Sequence, residues 1–130
     1  MIHGTGIDLL DMQRIAASLK QHGDRLALRV LHPSEFEVYE QRGGAQSVRG
    51  QRYVASRFAA KEAFAKAWGT GIGEKVGFQG LSILNNEAGA PVIVCHGSLA
   101  AAMTSAGLKA WISISDEGDL VIAQVIIEAL

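Results

Sequence analysis

The sequence predicts an α+β fold: one domain over residues 1–130 in which an antiparallel sheet packs against a long central helix. Three observations carry that expectation. The first is the stretch Tyr53 to Gly71, YVASRFAAKEAFAKAWGTG, whose alanines and long side chains favour a helix that Gly69 and Gly71 then end. The second is a pair of apolar runs, Trp111 to Ile114 and Val121 to Ile127, joined by the tight acidic connection Asp116 to Asp119. Such neighbours suit adjacent antiparallel strands better than repeated βαβ units. The third is length, since 130 residues supply a real apolar core but not separate catalytic and substrate domains.

Taken in order, Ile2 to Leu10 reads as a buried strand ending at Asp8, and a helix follows from Asp11 to Gln21. Gly4 and Gly6 permit close approach of a strand or a ligand, although their spacing is not that of a dinucleotide-binding GxGxxG. His22 to Arg29 reads as a link to Val30 and Leu31. His32-Pro33-Ser34-Glu35 has the chemistry of a helix start and leads into a short helix carrying Phe36 and Tyr39. Gly43 to Gly50 is the clearest loop.

In the central helix, a 100° step per residue gathers Val54, Phe58 and Ala65, with Phe64 and Trp68 further round, into a broad apolar surface. Glu62 and Lys66 share a neighbouring face one turn apart. Ala55 and Ala59 lie on that side too, so a ligand or another subunit could approach closely; a plain solvent-facing ion pair is the alternative. Phe78 to Leu84 and Val92 to Cys95 follow as strands about an Asn85 to Gly89 turn. A helix from His96 or Gly97 carries Leu99, Ala102 and Met103 and ends at Gly107.

The formal net charge of -1 hides an asymmetry. From Arg14 to Lys66 there are ten Lys or Arg against five Asp or Glu, whereas the rest of the chain has two against eight. A basic surface of that kind favours an acidic protein or a phosphorylated ligand, and no nucleic-acid module accompanies it. The single cysteine, Cys95, excludes an internal disulfide framework and a cysteine-rich zinc site, and its apolar neighbours suggest inert packing. His3, His22, His32 and His96 occur singly, without ligand spacing. No secretory run or membrane span is visible, so a cytoplasmic protein is expected.

Asp8 and Glu62 are distant in sequence, yet a strand packed on a helix could bring both carboxylates to one metal. Mg²⁺ needs few protein ligands when waters and phosphate oxygens complete its shell. An unrelated surface Asp and a salt-bridged Glu remain the alternative.

Two motifs add to this. GTGIDLLDMQRI supplies Gly4, Gly6, Ile7, Asp8, Asp11, Arg14 and Ile15. The central helix supplies Arg57, Phe58, Ala59, Lys61, Glu62, Ala63, Lys66, Ala67, Gly69, Thr70 and Gly71. Together they resemble the two signatures of holo-acyl-carrier-protein synthases in the phosphopantetheinyl transferase superfamily. The resemblance continues through Gly89 to Pro91 and the last two strands, covering essentially the whole chain.

The resemblance implies the compact fold of that superfamily and a reaction that transfers 4'-phosphopantetheine from coenzyme A to a serine of apo-acyl carrier protein, releasing adenosine 3',5'-bisphosphate. It implies Mg²⁺ at Asp8 and Glu62, with Lys66 stabilising negative charge and Glu62 or a metal-bound water as base. It assigns Arg57, Lys66, Gly69, Thr70 and Gly71 to coenzyme A, the Gly69 to Gly71 turn through exposed backbone donors and the Thr70 hydroxyl. Lys61 would contact phosphate or pair with a carboxylate. Arg14, Arg25 and Arg29 would receive the acidic carrier protein, and a homotrimer would place active sites at subunit interfaces. Asp116 departs from members with histidine near this position; its carboxylate could act as the base in place of Glu62 or a metal-bound water, orient water or ligand, or be an exposed turn residue. A noncatalytic coenzyme A or carrier-binding module is the alternative function.

Overall fold

A computed structural model describes residues 1–130. Its elements are β1 (Ile2–Asp11), α1 (Met12–His22), α2 (Asp24–Val30), α3 (Pro33–Gln41), α4 (Val48–Trp68), β2 (Leu81–Asn85), β3 (Pro91–Cys95), α5 (Gly97–Ala106), β4 (Leu108–Glu117) and β5 (Leu120–Ala129). Strands β1, β5 and β4 form one antiparallel sheet in that order, and β2 pairs with β3 in a separate hairpin. The predicted fold class is the one observed.

Helix α4 runs for 21 residues and begins earlier than the sequence predicts. The Ser47 hydroxyl accepts from Arg49 N at 3.1 Å and caps the first turn. Gly50, which looks like a loop residue, lies inside the helix because a Cβ there would overlap the Gly44 carbonyl folded against it. The broad apolar surface is corrected in detail: Phe58 and Trp68 are only half-buried, whereas Ala55 and Ala59 are fully buried beneath neighbouring elements and leave no open flank.

Strand β1 packs across α4 at a distance that only glycine allows. A Cβ on Gly4 would overlap the Ala67 carbonyl, and one on Gly6 would overlap the Ala63 carbonyl and lie 2.8 Å from Ala67 N. The two glycines serve strand-to-helix packing. Asp8 stands two residues on, on the same pleat face, and pairs with Ala123 of β5. It sits within a strand that continues to Asp11, not at a strand end, because β5 is long enough to pair along the whole of it. Asp11 then caps α1, its carboxylate accepting from Gln13 N at 2.9 Å.

Three further differences from expectation have local causes. The predicted link after His22 is the short helix α2, set off by Gly23 at φ 61°. β2 starts at Leu81, since Phe78–Gly80 forms a 3-10 turn. Asp116 and Glu117 belong to β4, because the hairpin reverses later, at Gly118 with φ 59°. The histidines are also not all isolated: the rings of His32 and His96 stack with centroids 4.0 Å apart.

Lys61 shows how α4 is anchored on its far side. Its ammonium is fully buried and donates to Glu35 Oε1 (2.6 Å), Val30 O (2.7 Å) and Phe78 O (2.8 Å). The equally buried Glu35 also accepts from His32 N (2.9 Å) and Ile83 N (2.8 Å). Every strong group is therefore satisfied, as a buried ion pair requires. One ion pair thus ties together α4, α3 and the start of the β2 hairpin.

The opposite face of the three-stranded sheet is uncovered. Ile7 and Leu9 of β1 are 54% and 62% exposed, and Trp111 of β4 is 51% exposed. No helix is long and apolar enough to cross a membrane.

Gly6→Ala drives a methyl group into helix backbone that cannot rotate away, so urea unfolding of the variant should show a loss of about 2–4 kcal/mol. Gly73→Ala, where an added Cβ meets nothing within 4 Å, is the control and should stay within about 0.5 kcal/mol of the parent.

Candidate active site

The pleat that turns Asp8 toward α4 sets it beside Lys66. Lys66 Nζ donates to Asp8 Oδ1 at 3.1 Å and to the Ile7 carbonyl at 2.9 Å, so the ammonium is held at β1 while half its side chain stays in water. The Glu62 carboxylate, one turn earlier on α4, takes part in none of the ion pairs of the chain. Burial, and then the charge of Asp8, hold its carboxyl above the usual carboxylate range, partly opposed by Lys66. The two signatures therefore meet in space, and their carboxylates repel each other across a site that one ammonium incompletely neutralises.

That donor set suits a hard divalent cation. Two carboxylates would supply oxygen ligands, leaving the rest of an octahedral shell to water and phosphate oxygens. No group of three or more His, Cys, Asp or Glu side chains gathers around one point, so a closed all-protein metal cage is not what these residues offer.

The Gly69 to Gly71 turn behaves differently from expectation. The backbone N–H groups of Gly69, Thr70 and Gly71 all converge on the Ala65 carbonyl, at 3.1, 3.3 and 3.1 Å, and the Thr70 hydroxyl donates to Gly71 O at 3.0 Å. The donors that were to face a ligand are engaged in closing α4. Gly69 adopts φ 108°, a left-handed helix exit.

Arg57 is absent from the Lys66 face. It lies five residues before Glu62, about 140° round the helix, and lines a separate cleft of about 270 Å³ with Arg42, Arg49, Arg52, Tyr53 and Asp116. Arg57 is 5% exposed; its guanidinium sits 4.2 Å over the Tyr53 ring and donates to Ile83 O (3.0 Å), Ser56 Oγ (3.0 Å) and Asn85 Oδ1 (3.2 Å). Burial lowers its pKa, and none of its hydrogen-bond acceptors is a carboxylate. Arg42 lies 4.9 Å from the same ring, and Arg52 alone has an anion, Asp116, at 3.4 Å. The buried Tyr53 hydroxyl has no hydrogen-bond partner. A cleft with four guanidiniums and one carboxylate is built for an anionic ligand.

Sequence reasoning missed Arg42, Arg49 and Arg52. Arg49, Arg52, Tyr53 and Arg57 recur at helical spacing along one side of α4, a pattern hidden when residues up to Gly50 are taken as loop.

Arg14 is exposed on α1, and Arg25 with Arg29 is exposed one turn apart on α2; none of the three has a carboxylate partner. Cys95 is half-buried at the end of β3, where burial pushes its thiol up to about 11 and leaves it a poor nucleophile.

Known proteins share this architecture. Residues 4–125 match the model of the 4'-phosphopantetheinyl transferase superfamily. The holo-[acyl-carrier-protein] synthase of Herminiimonas arsenicoxydans is 45% identical over 128 residues, 98% of each chain. The crystal structure of holo-[acyl-carrier-protein] synthase from Neisseria meningitidis superposes with a TM-score of 0.89 at 38% identity, over 98% of this chain and 99% of that one. That of the Bacillus anthracis synthase, in complex with CoA (3',5'-ADP), does so with a TM-score of 0.83 at 33% identity, over 100% and 99%. With both signatures in place and the fold shared end to end, the chain belongs to the holo-[acyl-carrier-protein] synthases of the 4'-phosphopantetheinyl transferase superfamily.

Proposed function

We propose that Asp8, Glu62 and Lys66 are the reacting centre of this chain in the transfer of 4'-phosphopantetheine from coenzyme A to a serine of apo-acyl carrier protein. The observation that carries the assignment is their convergence: Lys66 Nζ on Asp8, with the Glu62 carboxyl held up by burial and by that same Asp8. The serine oxygen attacks the phosphorus that bears pantetheine, and the bond from that phosphorus to the adenosine-side oxygen breaks. Adenosine 3',5'-bisphosphate leaves with the displaced charge. The serine proton passes to Glu62, directly or through water.

Lys66 supplies positive charge where the transferred and leaving oxygens become more negative, an interaction stronger in the transition state than before it. Its bond to the Ile7 carbonyl fixes where that charge stands. Asp8 and Glu62 would hold Mg²⁺, which when bound draws negative charge from the diphosphate. The Thr70 hydroxyl and the Gly69 to Gly71 turn would border the ligand as the rim of the site.

Coenzyme A also carries a 3'-phosphate, and the arginine cleft is the place for it, with Arg57 as a fixed cation. Because Arg57 and Lys66 occupy different sides of α4, one donor molecule is best served by the Lys66 centre of one subunit and the arginine cleft of the next. The uncovered apolar face at Ile7, Leu9 and Trp111 supports such assembly, as a homotrimer with interface sites. Exposed Arg14, Arg25 and Arg29 would steer the acidic carrier to its docking surface.

Intact-mass analysis of carrier incubated with coenzyme A, Mg²⁺ and the protein should show one phosphopantetheine adduct per carrier and release of adenosine 3',5'-bisphosphate. Asp8→Ala and Glu62→Ala should each abolish most transfer and weaken Mg²⁺ binding without unfolding the chain. Lys66→Ala should lose transfer, by about 10²-fold or more, even at saturating Mg²⁺. Binding of coenzyme A and carrier without any adduct would leave a noncatalytic binding module instead.

The raised Glu62 pKa gives a second test with a definite sign. The folded chain disfavours the ionised carboxyl, so metal-free stability is penalised as pH rises through the folded pKa. Glu62→Gln should therefore unfold at higher urea than the parent near neutral pH, with the advantage vanishing as pH falls below the ordinary carboxylate range. Mg²⁺ binding, which needs the ionised form, should weaken on acidification sooner than for an ordinary carboxylate.

Native mass spectrometry should find three chains at assay concentration. Mixed trimers of a Glu62→Ala chain with an Arg57→Gln chain should regain activity that neither homotrimer has, since a neighbouring pair can then contribute one intact centre and one intact cleft. An active monomer would overturn the shared site.

A further inference from the structure

We infer that Asp116 is a resident competing anion of the arginine cleft, weakening the hold on the nucleotide end of coenzyme A so that the product leaves quickly. The inference rests on the assignment of that cleft to the 3'-phosphate.

Asp116 is the only carboxylate lining a cleft that also contains Arg42, Arg49, Arg52 and Arg57. It reaches across from β4 to Arg52 on α4, joining the two walls by a single contact of 3.4 Å. Both side chains are partly in water, 38% exposed for Arg52 and 42% for Asp116. A pair so placed contributes little to stability. Its effect falls on the cleft. Arg57 cannot turn toward a carboxylate, since its guanidinium is committed to Ile83 O, Ser56 Oγ and Asn85 Oδ1. Arg42 is committed to the face of Tyr53. Arg52 is the partly exposed cation whose only side-chain partner is Asp116, so Asp116 occupies it while no ligand is bound.

An entering phosphate must displace Asp116 from Arg52 or share the guanidinium with it, and in either case it feels the carboxylate's repulsion at short range. Four unopposed guanidiniums would bind the bisphosphate product as well as the donor, and tight product binding slows turnover. The donor carries one more phosphate than the product to set against Lys66, so it is held more firmly outside the cleft. A carboxylate at the cleft therefore costs the product proportionately more than the donor. Asp116 acts through Arg52 and takes no part in bond making, so it is a positioning residue.

The test is Asp116→Asn, which keeps size and removes charge, in the full-length protein with Mg²⁺ present. Calorimetric titration with adenosine 3',5'-bisphosphate should show binding tightened about three- to tenfold, while adenosine 5'-monophosphate, which lacks the 3'-phosphate, should be little changed. Stopped-flow displacement should show slower release of the bisphosphate, and steady-state transfer should show KM for coenzyme A and kcat falling together. A purely structural pair would move the urea midpoint and leave these constants alone; that outcome overturns the inference, as does weaker binding of the bisphosphate, which would make Asp116 a ligand. Arg49→Gln and Arg52→Gln separate the two levels. If they weaken bisphosphate binding several-fold but Asp116→Asn does not tighten it, only the role of Asp116 falls. If they leave binding unchanged, the cleft is not the phosphate site and both ideas fall.

Discussion

The contact on which the rest of the structure depends is the passage of β1 across α4 without intervening side chains. Gly4 and Gly6 lie against the carbonyls of Ala67 and Ala63, and the helix offers only alanine at that crossing. Bringing a strand onto helix backbone in this way leaves almost no freedom in the position of the next residue on the same pleat. That residue is Asp8, and its partner one step along the helix is Lys66. The two signatures recognisable in the sequence are thus the two halves of a single packing contact, and the proposed centre is brought together by the same contact that sets the fold.

The three cations of α4's motif illustrate how a helix distributes one residue type among different tasks. Lys66 leans onto β1 and stays half in water. Lys61 is sealed with Glu35 and two carbonyls. Arg57 is buried without any carboxylate, held by neutral acceptors and an aromatic face. Desolvation penalises all such burial, but the outcomes differ because the partners differ: a full counter-charge satisfies Lys61, whereas Arg57 retains uncompensated positive charge that a ligand can use.

Much of the architecture was legible because its signals are periodic. The alanine-rich run and the paired apolar strands declare themselves through side-chain spacing, and the helix start at Pro33 through its capping residues. What escaped has physical reasons. Gly50 breaks a helix by propensity, yet here tertiary contact with Gly44 demands the absence of a side chain, so the true start of α4 was missed and Arg49 and Arg52 were cut off from Arg57. The short helix α2 has too few residues to show a period. At the site, the meeting of the two motifs was readable in the sequence, but the contact that joins them, Lys66 on Asp8, was not. The inward turning of the Gly69, Thr70 and Gly71 amides onto Ala65 was not, since nothing in a glycine-rich turn says where its donors point.

β1 also carries a form of error checking. A strand alternates its faces every residue, so sliding β1 by one position would send Asp8 outward and bring Thr5 or Ile7 against the Ala63 carbonyl. Those side chains have no room there; only Gly6 fits. A chain shifted by one residue therefore cannot seat β1 on α4, and does not close the core with a displaced carboxylate. Any molecule in which β1 has seated on α4 has therefore already turned Asp8 toward the helix, so a one-residue slip should leave no folded but misaligned class in a population of this protein.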